Sequence, residues 1–123
     1  MGRLVAERGA VVVCGGLGGA MEAACRGAKQ ADGLTVGILP GSDRSAANPF
    51  VDVALPTGLG EARNALVVGA ADVVIAVGRG YGTLSEIALA LRAGKRVIGL
   101  DTWEVDGVSA HDGAEAAVSA ALS

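Results

Sequence analysis

The stretch Asp72-Val73-Val74-Ile75-Ala76-Val77-Gly78-Arg79-Gly80-Tyr81-Gly82-Thr83 decides the fold. Its apolar run has no alternation of polar and apolar residues, which marks a strand buried on both faces, as in a parallel sheet under helices. Glycines at 78, 80 and 82 then break the strand, and helical periodicity takes over across 82–94. Strand, glycine turn and helix make half of a parallel crossover unit. Outward from it the pattern repeats. Strands are predicted at 11–15, 34–39, 51–56, 72–78 and 96–101, and helices at 18–31, 60–71, 82–94 and 113–122. The exception is 40–50, rich in turn formers, which reads as a loop. The expected architecture is α/β: a Rossmann-like doubly wound parallel sheet forming a single domain over 1–123.

The N-terminus fits less simply. Gly2 to Arg8 reads as a helix stopped by Gly9, whereas doubly wound domains ordinarily open with a strand. A further strand is therefore expected ahead of residue 2, between strands 11–15 and 72–78, and the 123 residues are expected to be a shortened version of the domain.

Composition narrows the function classes. The chain is 51% hydrophobic with 2% aromatic residues, 20 glycines and a formal net charge of -3, so there is neither a general positive field nor a basic stripe to draw a nucleic acid. No signal peptide and no apolar run of the ~18 residues needed to span a bilayer is present, so a cytoplasmic protein without a membrane partner is expected. Cys14 and Cys25 lack metal-ligand spacing and read as reduced core thiols; no metal site is expected. His111, among polar residues, reads as a solvated loop residue.

In open α/β sheets ligands bind beyond the carboxyl ends of the strands. The leading candidate is Gly78, Arg79, Gly80, Tyr81, Gly82 and Thr83, where glycines let the backbone approach a ligand and the new helix offers free N–H groups and a positive dipole end to a phosphate. The competing reading makes Thr83 and Glu86 a capping box. A second loop, with Gly15, Gly16, Gly18 and Gly19, also follows a strand and opens a helix, and serves either phosphate binding or tight strand-to-helix packing. It lacks the third glycine of a dinucleotide fingerprint, and no acidic residue ends the next strand, so NAD is disfavoured and no cofactor is expected. Arg63, in the first turn of the helix over 60–71, opposes the helix dipole. Either an anion compensates it or it is a surface arginine paired with Glu61.

Gly80-Tyr81-Gly82-Thr83-Leu84-x-Glu86 with the upstream Arg63 resembles the LONELY GUY (LOG) family, whose signature is Pro-Gly-Gly-x-Gly-Thr-x-x-Glu with an arginine on the preceding helix. The resemblance covers the whole chain. It is strongest to a bacterial branch of largely uncharacterised members, through 15–23, 37–41 and 82–87. Gly78 stands where the signature has proline, Arg79 where it has the second glycine, and the 14–22 loop is shorter than in the characterised enzymes. The resemblance implies a homodimeric nucleoside 5'-monophosphate phosphoribohydrolase, cleaving an N-glycosidic bond with Arg63 and Glu86 as catalytic residues and 78–83 as the phosphate loop. A related group, the molybdenum-cofactor carrier proteins, implies the alternative: a non-catalytic carrier of a phosphorylated ligand. The partner in either case is a nucleoside monophosphate or another phosphorylated small molecule.

Overall fold

The computed structural model describes residues Met1–Ser123. The chain divides into two compact units, Met1–Val67 and Val68–Ser123.

The first unit opens with helix α1 (Gly2–Glu7), stopped where Gly9 takes a φ of +77°. Strand β1 (Val12–Cys14) follows, then helix α2 (Ala20–Gln30), strand β2 (Thr35–Leu39), a short 3-10 turn at Arg44–Ala46, strand β3 (Val53–Pro56) and a second 3-10 turn at Gly60–Arg63. All ladders are parallel, in the order β1-β2-β3, with Val13 opposite Val36 and Gly37 opposite Ala54. The central strand β2 is the buried one, as its uninterrupted apolar sequence requires. Helices α1 and α2 approach closely through glycine: a Cβ on Gly2 would lie 1.8 Å from the Ala24 carbonyl oxygen.

A polar clip holds the start of β2. The Asp52 carboxylate accepts from Lys29 Nζ at 2.8 Å and from the backbone N–H of Thr35 at 3.0 Å, while the fully buried Thr35 hydroxyl donates to the Phe50 carbonyl at 2.6 Å. The Lys29 hydrogen bond, then the Thr35 N–H, hold the Asp52 carboxyl below its ordinary value. Since the folded-state value is the lower one, this stabilisation is present above the unfolded carboxylate range of about 3.9 and is lost as pH falls through the folded value. The stability difference between wild type and Asp52→Asn, followed by denaturant melts into acid, is expected to shrink there. A difference independent of pH would contradict it.

Helix α3 (Asn64–Ala70) carries the chain across the division. The second unit then contains β4 (Val74–Val77), α4 (Tyr81–Arg92), β5 (Val97–Leu100), β6 (Val108–His111) and α5 (Ala114–Ala121). Its three strands are also parallel, in the order β4-β5-β6. Val68, Ala76, Ile87, Ala90 and Val97 form its core, and both α4 and α5 pack on β4 and β5. Lys95 closes the C-terminal end of α3, donating through Nζ to the carbonyls of Val68, Gly69 and Ala71. A cation satisfying orphan carbonyls at a helix's negative end is worth roughly 1–2 kcal/mol. Lys95→Met is expected to lower stability by about that amount, read from the denaturation midpoint.

The fold is a Rossmann-like α/β arrangement of parallel strands. The expected single sheet is found as two three-stranded sheets, in which β1 and β4 each pair on one side only. The structure adds one strand, β6, where a polar loop was expected. Val108-Ser109-Ala110-His111 carries one strong strand former, and its extension comes from pairing with buried β5, Val97 opposite Val108 and Leu100 opposite His111. His111 is thus a half-buried strand residue whose Nε2 lies 3.1 Å from the Ser109 hydroxyl.

Candidate functional site

Each unit contains one glycine loop that follows a strand and opens a helix. In the second unit Gly78 leaves β4 with a φ of +80°, a left-handed conformation that glycine adopts without strain. The loop is fastened from the carboxyl end of β5. Thr102 Oγ1 donates to the Gly78 carbonyl at 2.6 Å, Trp103 Nε1 donates to the Gly80 carbonyl at 2.9 Å, and the Tyr81 and Trp103 rings stack with centroids 5.9 Å apart. Tyr81 nonetheless stays 83% exposed. Arg79 turns outward to Asp101, at 3.6 Å.

Helix α4 starts at Tyr81, and its N-cap is Gly80 with no side-chain cap bond. This decides the capping question against the box. Thr83 is the third residue of the helix, not its cap, and Glu86 is the sixth, half-buried in the second turn. Gly80 has no side chain to cover the N–H groups of the first turn, the groups that a phosphate at a helix start takes. Gly78, Arg79, Gly80, Tyr81, Gly82 and Thr83 therefore share one end of α4.

In the first unit the loop after β1 contains Gly15, Gly16, Gly18 and Gly19, with Gly16 and Gly19 at φ of +77° and +66°. Gly19 caps α2, again without a side-chain bond. The buried Asn48 staples this loop: its backbone N–H donates to the Gly16 carbonyl at 2.8 Å and its Nδ2 to the Leu17 carbonyl at 2.8 Å. Two of the glycines are closely packed. A Cβ on Gly16 would lie 2.7 Å from Leu39 Cδ2, and one on Gly15 would lie 2.5 Å from Arg63 Nη2. Gly18 and Gly19 face open space, so packing does not account for them.

The Gly15 contact places the Arg63 guanidinium against this loop. Arg63 ends the 3-10 turn Gly60–Arg63 and precedes α3, instead of lying in a continuous helix over 60–71. Its Nη1 donates to Asn64 Oδ1, and its Nε is buried with no hydrogen-bond partner. Arg63 belongs to the first unit and Glu86 to the second. Within the second unit the structure gathers 78–83, and within the first it gathers 15–19 with Arg63.

Asn48, Thr102 and Trp103 were not legible as site residues. Asn48 sits in the turn-rich segment 40–50, and its buried side chain with backbone partners is a tertiary fact. Thr102 and Trp103 follow a strand's carboxyl end, which is the signal that points to them. A cavity of about 290 Å³ in the second unit, lined by Arg96, Ile98, Ser109, His111, Ala120 and Ser123 among others, contains none of the expected site residues. Its polar groups are already engaged, Arg96 with the Ala120 carbonyl and His111 with Ser109.

The reduced thiols expected at Cys14 and Cys25 are found as such, unbridged, at the end of β1 and in the second turn of α2. No helix is long and apolar enough to cross a membrane.

The model of the SLOG cluster4 family matches residues 1–122. The chain belongs to the SLOG cluster4 family. The motif resemblance thus holds at the level of the LOG-like Rossmann fold, and the match is to this cluster rather than to the LOG enzymes themselves. An uncharacterised protein of Archaeoglobus fulgidus is 46% identical over 124 residues, covering 100% of this chain and 82% of that protein. Among solved structures, the molybdenum cofactor binding protein of the phototrophic bacterium Rippkaea orientalis is 51% identical, with a TM-score of 0.80 over 84% of this chain and 63% of that one. The molybdenum cofactor carrier protein of Chlamydomonas reinhardtii is 35% identical, with a TM-score of 0.87 over 97% of this chain and 80% of that one. The chain therefore spans less than two thirds of the Rippkaea protein's length.

Proposed function

We propose that this protein binds and carries a phosphorylated small molecule of the molybdenum-cofactor kind without turning it over. The observation that carries this reading is the likeness to two proteins described as binding or carrying molybdenum cofactor, at 51% and 35% identity. The residues fit such a ligand. The cargo's phosphate would take the N–H groups at the start of α4, at 78–83 of the second unit; the first unit separately offers the Arg63 guanidinium beside Gly15 as an anion contact. Carriage needs only such anchors, whereas glycosidic cleavage also needs a carboxylate at the sugar. One observation keeps the phosphoribohydrolase reading as the competitor: Glu86 lies half-buried in the second turn of α4, the helix that opens at 78–83. A homodimer at work in the cytoplasm belongs to the same proposal, its oligomeric state to be read by light scattering.

The test is to incubate the protein with molybdenum cofactor and, separately, with a panel of nucleoside 5'-monophosphates. Retention of the phosphorylated pterin through gel filtration, with no base released from any monophosphate, is expected. Base release that is lost in Glu86→Gln would overturn the carrier reading in favour of the hydrolase.

A further inference from the structure

Outside the ligand-binding residues, the two cysteines form a chemical unit of their own. Cys14 ends β1 and Cys25 lies in the second turn of α2, so the pair brackets the glycine loop 15–19 in sequence. Their sulfurs are 3.5 Å apart, and the backbone N–H of Gly16 donates to Cys14 Sγ at 3.4 Å. The environments differ: Cys25 is fully buried, whereas Cys14 is partly exposed. The hydrogen bond to Cys14, then burial, push the Cys25 thiol far above its ordinary range, so Cys25 keeps its proton. The two sulfurs share one hydrogen bond, and the Gly16 N–H adds a second to the sulfur of the less buried residue, Cys14. The pair is thus asymmetric: a hydrogen-bonded sulfur on the partly exposed Cys14 and a thiol on the fully buried Cys25.

We propose that Cys14 and Cys25 are a reversible dithiol–disulfide pair, in which Cys14 meets a small-molecule disulfide and Cys25 resolves the adduct. Cys14 sulfur attacks the disulfide R–S–S–R, forming Cys14–S–S–R and releasing one RS⁻, which takes the Cys14 proton. Cys25 sulfur then attacks Cys14 sulfur and expels the second RS⁻, to which the Cys25 proton passes. Two protein thiols are oxidised by two electrons, and one small-molecule disulfide is reduced to two thiols. A disulfide holds its sulfurs about 2.05 Å apart, so closure brings these two nearer by about 1.5 Å. The product would tie the end of β1 to α2 across the glycine loop. This goes beyond carriage of a phosphorylated ligand, and its test needs no ligand.

The experiment treats the folded full chain with oxidised glutathione, then denatures, alkylates and weighs it. In wild type both alkylatable thiols are expected to disappear together without a retained adduct, and dithiothreitol is expected to restore them. Cys25→Ser is expected to keep a glutathionyl group on Cys14, located by peptide mapping. Cys14→Ser is expected to react more slowly by on the order of tenfold or more, since the remaining thiol is buried. Wild type that keeps both thiols, or stops at a mixed disulfide, overturns the proposal, and so does Cys14→Ser that gains an adduct on Cys25 at the wild-type rate. The wild-type reading stands alone if either variant fails to fold.

Discussion

Gly80→Val is expected to abolish binding of a phosphorylated ligand while leaving the fold intact. Gly80 has φ -73° and ψ 157°, an extended conformation open to any residue, and a Cβ built there meets only Thr83 Oγ1 at 4.0 Å. The protein therefore has room for valine. Losing glycine at an N-cap costs roughly 1 kcal/mol of helix stability, so the melting midpoint should move little. The ligand does not have that room. If its phosphate sits on the first turn of α4, a branched side chain at the cap occupies the approach, and two or more charge-assisted hydrogen bonds are lost together. At about 1.5–3 kcal/mol each, that is a loss of roughly a hundredfold or more in affinity. Thr83→Ala removes at most one neutral donor and should cost only about 0.5–1.5 kcal/mol. Calorimetric titration of both variants with one phosphorylated ligand and its dephosphorylated form checks the ranking. Binding retained in Gly80→Val, or equal affinity for the two forms in wild type, would remove 78–83 as the phosphate anchor.

The contrast between Gly80 and Gly16 shows how far sequence could carry the site. Both stand in glycine-rich turns after a strand, and pattern alone cannot separate a glycine kept for a ligand from one kept for packing. Gly16 packs against Leu39 and the Gly37 backbone, while a Cβ at Gly80 meets only Thr83 Oγ1 at 4.0 Å and one at Gly18 meets nothing; that distinction exists only once the chain is folded. Strands β2 and β5 were legible because burial on both faces leaves an uninterrupted apolar run. Strand β6 was not, because an edge strand next to a buried one needs few apolar residues of its own. The capping box failed for a related reason. Thr83-x-x-Glu86 satisfies the spacing, but the glycine turn lets the helix begin at Tyr81, which moves threonine off the cap. The supports of both loops, Asn48 in one unit and Thr102 with Trp103 in the other, act through side-chain bonds to backbone carbonyls far away in sequence. No local signal encodes such bonds.

Arg63→Met is expected to weaken binding while changing stability little. The Arg63 guanidinium lies against Gly15 with its Nε buried and unsatisfied, and an unpaired buried donor costs about 1–3 kcal/mol, more when it is charged. Methionine keeps an unbranched apolar stem for packing beside Gly15 and Met21 and removes both the charge and the orphan N–H. The change also takes the donor from the buried Asn64 Oδ1, a cost of about 1–3 kcal/mol that offsets the gain, so the unliganded variant should melt within a few degrees of wild type. An anion accepted by Arg63 would turn that cost into binding energy, so the same change should weaken a phosphorylated ligand by at least roughly tenfold, about 1.4 kcal/mol. A residue kept for structure gives the reverse pattern, lower stability with unchanged affinity. Thermal melts of the unliganded protein and titrations with the phosphorylated ligand, run on the same preparations, separate the two. If Arg63→Met is less stable and binds as wild type does, Arg63 is a packing residue and the anion contact at 15–19 is withdrawn.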